Sequence, residues 1–329
     1  MSGTAWRTRA PHSLAQIILM NESHATTMAG GAHADFPPCA ICGGARWSTA
    51  YDGPIRDGVF GQTKRASVGR CGQCGVERLA ESACLPEKAY EGEAYRTQVG
   101  QDHDPARHFA SHDELARFPL EALWPTSLRG KVVADVGCGG GSLLDHIKGV
   151  CDTAVAIDPD RLFGADLQKR GYRWYPSTRD AAADFAGKID VALSSQVIEH
   201  VADPRTFLAD IRDLLAPGGV LLVSTPNRQD IMMDLLPAEF PAFFYRTQHR
   251  WYFDAATLRR CAEAAGLSVD EVRSIHRYGM ANAMLWLRDR KPSGRSPLPG
   301  IDRAADDLWK AHLNATGRGD NLFAIFKAQ

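Results

Sequence analysis

Hydrophobic positions in the second half of the chain follow two alternating patterns. Short apolar runs occur at 132–136 (VVADV), 155–157 (VAI), 189–195 (IDVALSS), 220–226 (VLLVSTP) and 321–328 (NLFAIFKA). Between them, apolar residues recur every three or four positions. The first pattern reads as strands buried on both faces, the second as amphipathic helices. Local punctuation agrees. Asp203-Pro204 offers an N-cap and a first-turn proline for a helix running to Leu215. Pro217-Gly218-Gly219 turns the chain into the next strand, Asp254 caps AATLRRCAEAA, and Gly266 closes that helix. Alternating strands and helices predict an α/β, doubly wound, Rossmann-like fold.

The connection after the first run is glycine-rich: DVGCGGGSLLDHI, with glycines at 137, 139, 140 and 141. A buried strand, a turn that suits glycine and a helix N-terminus aimed at a ligand form a nucleotide-type binding loop. Asp158 follows Gly137 by 21 residues, about where βαβ units place a carboxylate on ribose hydroxyls. A dehydrogenase carries a similar loop. The D-x-G-x-G-x-G spacing, however, sets Asp135 before the first glycine, where a pyrophosphate gains nothing from a negative charge. A ligand with an ammonium and a sulfonium suits that carboxylate better.

VADVGCGGG resembles motif I of the class I S-adenosylmethionine (SAM)-dependent methyltransferases, and SSQVIEHV resembles their fourth-strand motif. The resemblance runs over roughly residues 105 to 329. It implies a seven-stranded sheet whose last strand is antiparallel, and SAM as cofactor. Asp135, Gly137, Gly139 and Gly141 would then surround the methionine end, with Asp158 on the ribose. Ser195 and Gln196 would hold the methionyl carboxylate or backbone, and Ser177 and Thr178 the adenine.

Four of the eight cysteines, Cys39, Cys42, Cys71 and Cys74, form two CxxC pairs, each followed by glycine. Four thiolates satisfy the closed tetrahedral coordination of structural Zn2+ and leave no open position for catalysis. The segment is too small to bury a sufficient core alone, hence the need for metal. SVGRCGQCGVERLA reads as a strand into a knuckle and a strand out of it, and the long interval between pairs requires a hairpin or loop. Cys84, Cys138, Cys151 and Cys261 sit in apolar or glycine-rich contexts as small buried hydrophobes. Such cysteine usage suits a reducing compartment, the cytoplasm. A zinc segment ahead of this core resembles bacterial sugar C-methyltransferase-type enzymes of natural-product and polysaccharide pathways, much of it through YDGPIRDGVFGQTKRASVGRCGQCGVERL. Enzymes of that type are usually longer at the carboxyl end, so the resemblance implies the architecture more than the sugar acceptor.

Composition bounds the partners. The 329 residues are 44% hydrophobic and 23% charged with net charge −1, which gives no general attraction to nucleic acid. No apolar run approaches the ~18 residues of a membrane span. Residues 1–35 read as a disordered arm with no secretory signal, and Met28 is an alternative start. The other limits are 36–85 for the zinc segment, 86–130 for a linker and N-terminal lid with Tyr90 and Tyr95, and 131–329 for the catalytic domain. Insertions at 227–253 and 280–319 would build the acceptor pocket or, for the second, a homodimer contact.

Methyl transfer requires an aligned nucleophile and, where needed, a base. His200, His249 and Tyr245 are the leading candidates, with His276 and Tyr278 behind them. The leading expectation is methylation of a small-molecule acceptor: a sugar, nucleotide-sugar or natural-product intermediate. An RNA (rRNA guanine-type) methyltransferase and a non-catalytic SAM-binding scaffold are the alternatives.

Overall fold

The computed structural model describes residues 35–92, 97, 105–124 and 126–328, within a compact unit of residues 33–329. The expected arm and Tyr95 lie outside the described residues.

The main sheet contains β4 (Val132–Val136), β5 (Thr153–Ile157), β6 (Arg173–Tyr175), β7 (Ile189–Ser195), β8 (Leu215–Pro226), β10 (Leu267–Ile275) and β11 (Asn321–Ala328). Its order is β10-β11-β8-β7-β4-β5-β6. β11 pairs antiparallel with both β10 and β8, and β8 through β6 are parallel. The sheet is doubly wound. Its direction of growth reverses between β4 and β7, which places a ligand crevice beyond their carboxyl ends.

Strand residues alternate between two core clusters. Ala134, Val136 and Ile157 pack with Leu258 and Cys261 of α8 (Ala255–Ala264) on one face. Val133, Ala156 and Leu193 pack with Leu123 of α1 (Pro105–Leu123), Leu144 of α2 (Ser142–Ile147) and Phe163 of α3 (Arg161–Lys169) on the other. Period-two alternation with both faces covered is why the runs read as continuously apolar. α4 (Thr178–Phe185) and α5 (Pro204–Arg212) complete the first layer. Asp203 caps α5 through Thr206 N–H, and Asp254 and Thr257 form a reciprocal capping box on α8.

The cysteine segment is not a separate module. β1 (Trp47–Arg56), β2 (Thr63–Cys71) and β3 (Glu77–Leu79) pair in series, and β9 (Trp251–Tyr252), from the 227–253 insertion, pairs with β3. Ile55, Val68 and Leu79 share a third core with Met232, Leu236, Phe240, Phe244 and Tyr252. These come largely from the same insertion, which includes α6 (Met232–Leu235) and α7 (Phe240–Phe244). The small hairpin thus finds the apolar partner it lacks by itself. The second insertion forms α9 (Met280–Asp289) and α10 (Arg303–Ala315). No described helix is long and apolar enough to cross a membrane.

Candidate active site

Beyond the carboxyl end of β4 the glycine loop is tied down by backbone and side-chain bonds. Gly137 N–H donates to Ile157 O at 2.7 Å, and Gly139 N–H to Asp158 Oδ2 at 2.7 Å. Asp160 N–H donates to Asp158 Oδ1 at 2.9 Å, so this carboxylate organises the loop while facing the crevice. Gly137 has φ +83°, and a Cβ there would lie 2.3 Å from Val197 Cγ2. His108 of α1 accepts from Gly140 N–H through Nε2 at 3.2 Å and stacks on His112 at 4.1 Å. Sequence reasoning missed His108; its signal is a pair of histidines one helical turn apart.

One cavity of about 1160 Å³ runs from this loop across the sheet's crevice. Its lining includes Asp135, Gly137, Gly139, Asp158, Ser177, Thr178, Ser195 and Gln196, together with His200, His249, His276 and Tyr278. Gly141 is absent from the lining and instead precedes α2 at φ +85°, against Leu167. Burial and then neighbouring Asp158 push the Asp135 carboxyl up to about 7. Ser177 caps α4 by accepting from Asp180 N–H at 3.1 Å. Ser195 and Ser224 hydroxyls lie 2.7 Å apart. Gln196 occupies the left-handed region, φ 59°, and its Nε2 donates to Asn321 Oδ1 at 2.9 Å. A non-glycine residue held there marks strain retained at the mouth of the crevice. Asn321 and Ser224 were not foreseen, because they reach the site from neighbouring strands.

Past Gln196, Glu199, His200 and His249 bring one ligand-type atom each within 4.8 Å of one another. His200 Nδ1 lies 2.7 Å from Gln248 O, and a carbonyl only accepts, so Nδ1 carries the proton. Nε2 is then the basic nitrogen, 4.0 Å from Glu199 Oε1. Burial brings His200 down to about 4 and lowers His249 well below its ordinary value. Glu199 is pushed up to about 8 by burial, although Thr225 Oγ1 donates to its Oε2 at 3.0 Å. Its Oε1 is buried without a hydrogen-bond partner among the described residues. Near neutral pH this is a neutral imidazole beside a protonated carboxyl. The set suits proton exchange and is also one that a divalent cation accepts. Tyr90 packs edge-on to His200 at 5.4 Å and donates to Gln248 O at 2.8 Å.

Tyr245 does not reach this cavity, which corrects its reading as a base. It lies in the third core and donates to Glu77 Oε2 at 2.9 Å. Burial, then Glu77, raises its phenol far above the ordinary value. The apolar insertion around it turns its side chain inward.

At the other end of the hairpin, Sγ atoms of Cys39 and Cys74, and of Cys42 and Cys71, lie 3.6 Å apart. All four fall within 4.8 Å of one another, and none is in a disulfide. A tetrahedron with ~2.3 Å metal–sulfur bonds has edges of about 3.8 Å. The donor set therefore fits one metal ion.

A largely parallel sheet with a glycine loop, a strand-end carboxylate and a crevice at the reversal point defines a nucleoside-cofactor-binding α/β protein. Residues 106–272, half of the chain, match the family described as "Methyltransferase domain", and the chain belongs to that family. The four cysteines lie outside the matched range. The chain is 35% identical over 127 residues to a ubiquinone biosynthesis O-methyltransferase of Caulobacter sp. (strain K31), covering 36% of this chain and 50% of the relative. The protein of the same name from Thiobacillus denitrificans is 33% identical over 184 residues, covering 51% of this chain and 78% of the relative. The chain thus spans about half the length of the Caulobacter relative. Among solved structures, a SAM-dependent methyltransferase from Archaeoglobus fulgidus aligns with TM-score 0.45 and 15% identity, over 67% of this chain and 96% of that one.

Proposed function

We propose that the protein transfers a methyl group from SAM to a small-molecule acceptor. The observation that carries this reading is the single cavity joining the glycine loop to the Glu199–His200–His249 cluster. Asp158 would bind the ribose, Ser177 and Thr178 the adenine side, and Asp135, Gly137, Gly139, Ser195 and Gln196 the methionine end. When bound, SAM supplies an activated methyl on a sulfonium, so the protein's task is alignment and proton removal. His200 Nε2 takes the acceptor's proton, with Gln248 O fixing the tautomer and Glu199 beside the resulting cation. Sugar, nucleotide-sugar and natural-product intermediates remain the acceptor classes favoured by the cysteine segment. The names of the matched relatives favour an oxygen nucleophile.

The four cysteines would hold one structural Zn2+. Eight cysteines without a disulfide fit a reducing compartment, the cytoplasm. Native mass spectrometry with and without S-adenosylhomocysteine tests both parts. One zinc and one nucleoside per chain are expected; a chain that takes up zinc and no nucleoside overturns the methyl-transfer reading.

A further inference from the structure

The hairpin does more than hold cysteines. The end of β1 and the chain after α7 meet at a parallel bridge between Arg56 and Arg246, with Arg56 N–H donating to Tyr245 O and Thr247 N–H to Arg56 O. Both residues line the cavity, and their guanidinium groups face the Phe243 ring, Arg56 at 4.7 Å and Arg246 at 5.9 Å. Neither makes an ion pair among the described residues. Arg277, which also lines the cavity, is by contrast neutralised by Asp320 at 2.7 Å.

The two arginines are neighbours across this bridge, and the buried Arg56 Nε has no hydrogen-bond partner among the described residues, which is costly unless an anion receives it. Burial also weakens the Arg56 cation, as expected for a desolvated guanidinium without a carboxylate. The forked donors of arginine suit phosphate and carboxylate oxygens. Phe60, Phe240 and Trp286 pack around Phe243 and line the same cavity, giving flat apolar walls. The charge of Arg56 also bears on His249, so the subsite adjoins the proposed proton-transfer groups.

We propose that Arg56 and Arg246 form an anion subsite at the acceptor end, and that among those acceptor classes the one taken is a natural-product-type molecule with a flat, apolar body and a phosphate or carboxylate. This rests on the methyl-transfer reading of the cavity. It gives the cysteine hairpin a part in substrate recognition.

The test is calorimetric titration of the full chain with phenyl phosphate, benzoate and neutral phenol, each with and without S-adenosylhomocysteine. Phenyl phosphate or benzoate is expected to bind at least tenfold tighter than phenol, and whichever binds tighter identifies the anion. Arg56→Gln and Arg246→Gln should each weaken that binding roughly tenfold to a hundredfold. Arg56→Lys should recover part of it, and S-adenosylhomocysteine affinity should stay unchanged in all three. Equal affinity for phenol and the two anions overturns the subsite, as does anion binding that survives both glutamine variants. Failure of S-adenosylhomocysteine to bind overturns the methyl-transfer reading, while titrations without it still decide the subsite.

Discussion

The Tyr245 hydroxyl donates to Glu77 Oε2 at 2.9 Å, joining the insertion after β8 to the third strand of the cysteine hairpin. Glu77 is buried and also receives Arg70 at 2.7 Å and Arg228 at 3.0 Å, and Arg228 in turn reaches Asp254, the cap of α8. The hairpin is thus wired to the helix that begins just after β9. Tyr245→Phe leaves one buried carboxylate oxygen short of a donor, an expected cost of about 1–3 kcal/mol. Urea unfolding should show that loss while S-adenosylhomocysteine affinity is kept. A variant of full stability with no cofactor affinity would place Tyr245 in the site after all.

Metal is expected to matter for the whole unit, because metal binding is folding energy for so small a hairpin. Elemental analysis should find one zinc per chain. Cys71→Ser should remove the zinc and lower the urea midpoint in one transition, since Cys71 and Cys74 belong to the same apolar cluster as Leu258 and Cys261. Zinc-free protein with an unchanged midpoint would reduce the four thiols to ordinary core residues.

The fold was legible where residue pattern and burial coincide. VVADV, IDVALSS and NLFAIFKA became β4, β7 and β11 because each is covered on both faces. The caps at Asp203 and Asp254 were readable because they act within one turn. What could not be read was long-range pairing. Nothing local in Trp251-Tyr252 says that it completes the hairpin's sheet, and Phe240, Phe244 and Tyr245 look alike until one knows which face meets Ile55 and Leu79. The same holds for the site. Gly137 and Asp158 lie on one βαβ unit, whereas His108, Ser224 and Asn321 arrive from distant segments.

Gly137 tests the loop directly. Alanine there needs φ +83° and would set Cβ 2.3 Å from Val197, so the loop must move. Gly137→Ala is expected to lower S-adenosylhomocysteine affinity at least tenfold, measured by calorimetry, with the chain still folded by circular dichroism. Retained affinity would show that the loop does not contact the cofactor.

Glu199 gives a pH signature. Its folded value, about 8, lies above the ordinary 4.5, so the folded state holds the extra proton across that interval. Its contribution to stability is full below 4.5 and is lost as pH rises through 8. His200 acts at the opposite end. With a folded value near 4 against 6.5, it leaves stability intact above 6.5 and removes it as pH falls towards 4. Glu199→Gln keeps an acceptor for Thr225 and cannot ionise. Its melting temperature should exceed that of the parent at pH 8.5 by more than at pH 5. An equal difference at both pH values would mean that Glu199 ionises normally.

The proton-transfer assignment separates the two histidines. His200 has its tautomer set by Gln248 O and its Nε2 beside Glu199, whereas His249 meets it edge-on at 4.8 Å. A base works only when its lone pair is aimed, so His200→Asn should lower kcat by roughly a hundredfold to ten-thousandfold while leaving KM for SAM unchanged. His249→Asn should lose less, since in the proposed mechanism it only supports the His200 ring. Single-turnover rates across pH, with an acceptor chosen from the anion titrations, make the comparison. A His200→Asn enzyme with the parent's rate at every pH would remove that residue from the chemistry and leave alignment as the protein's whole contribution.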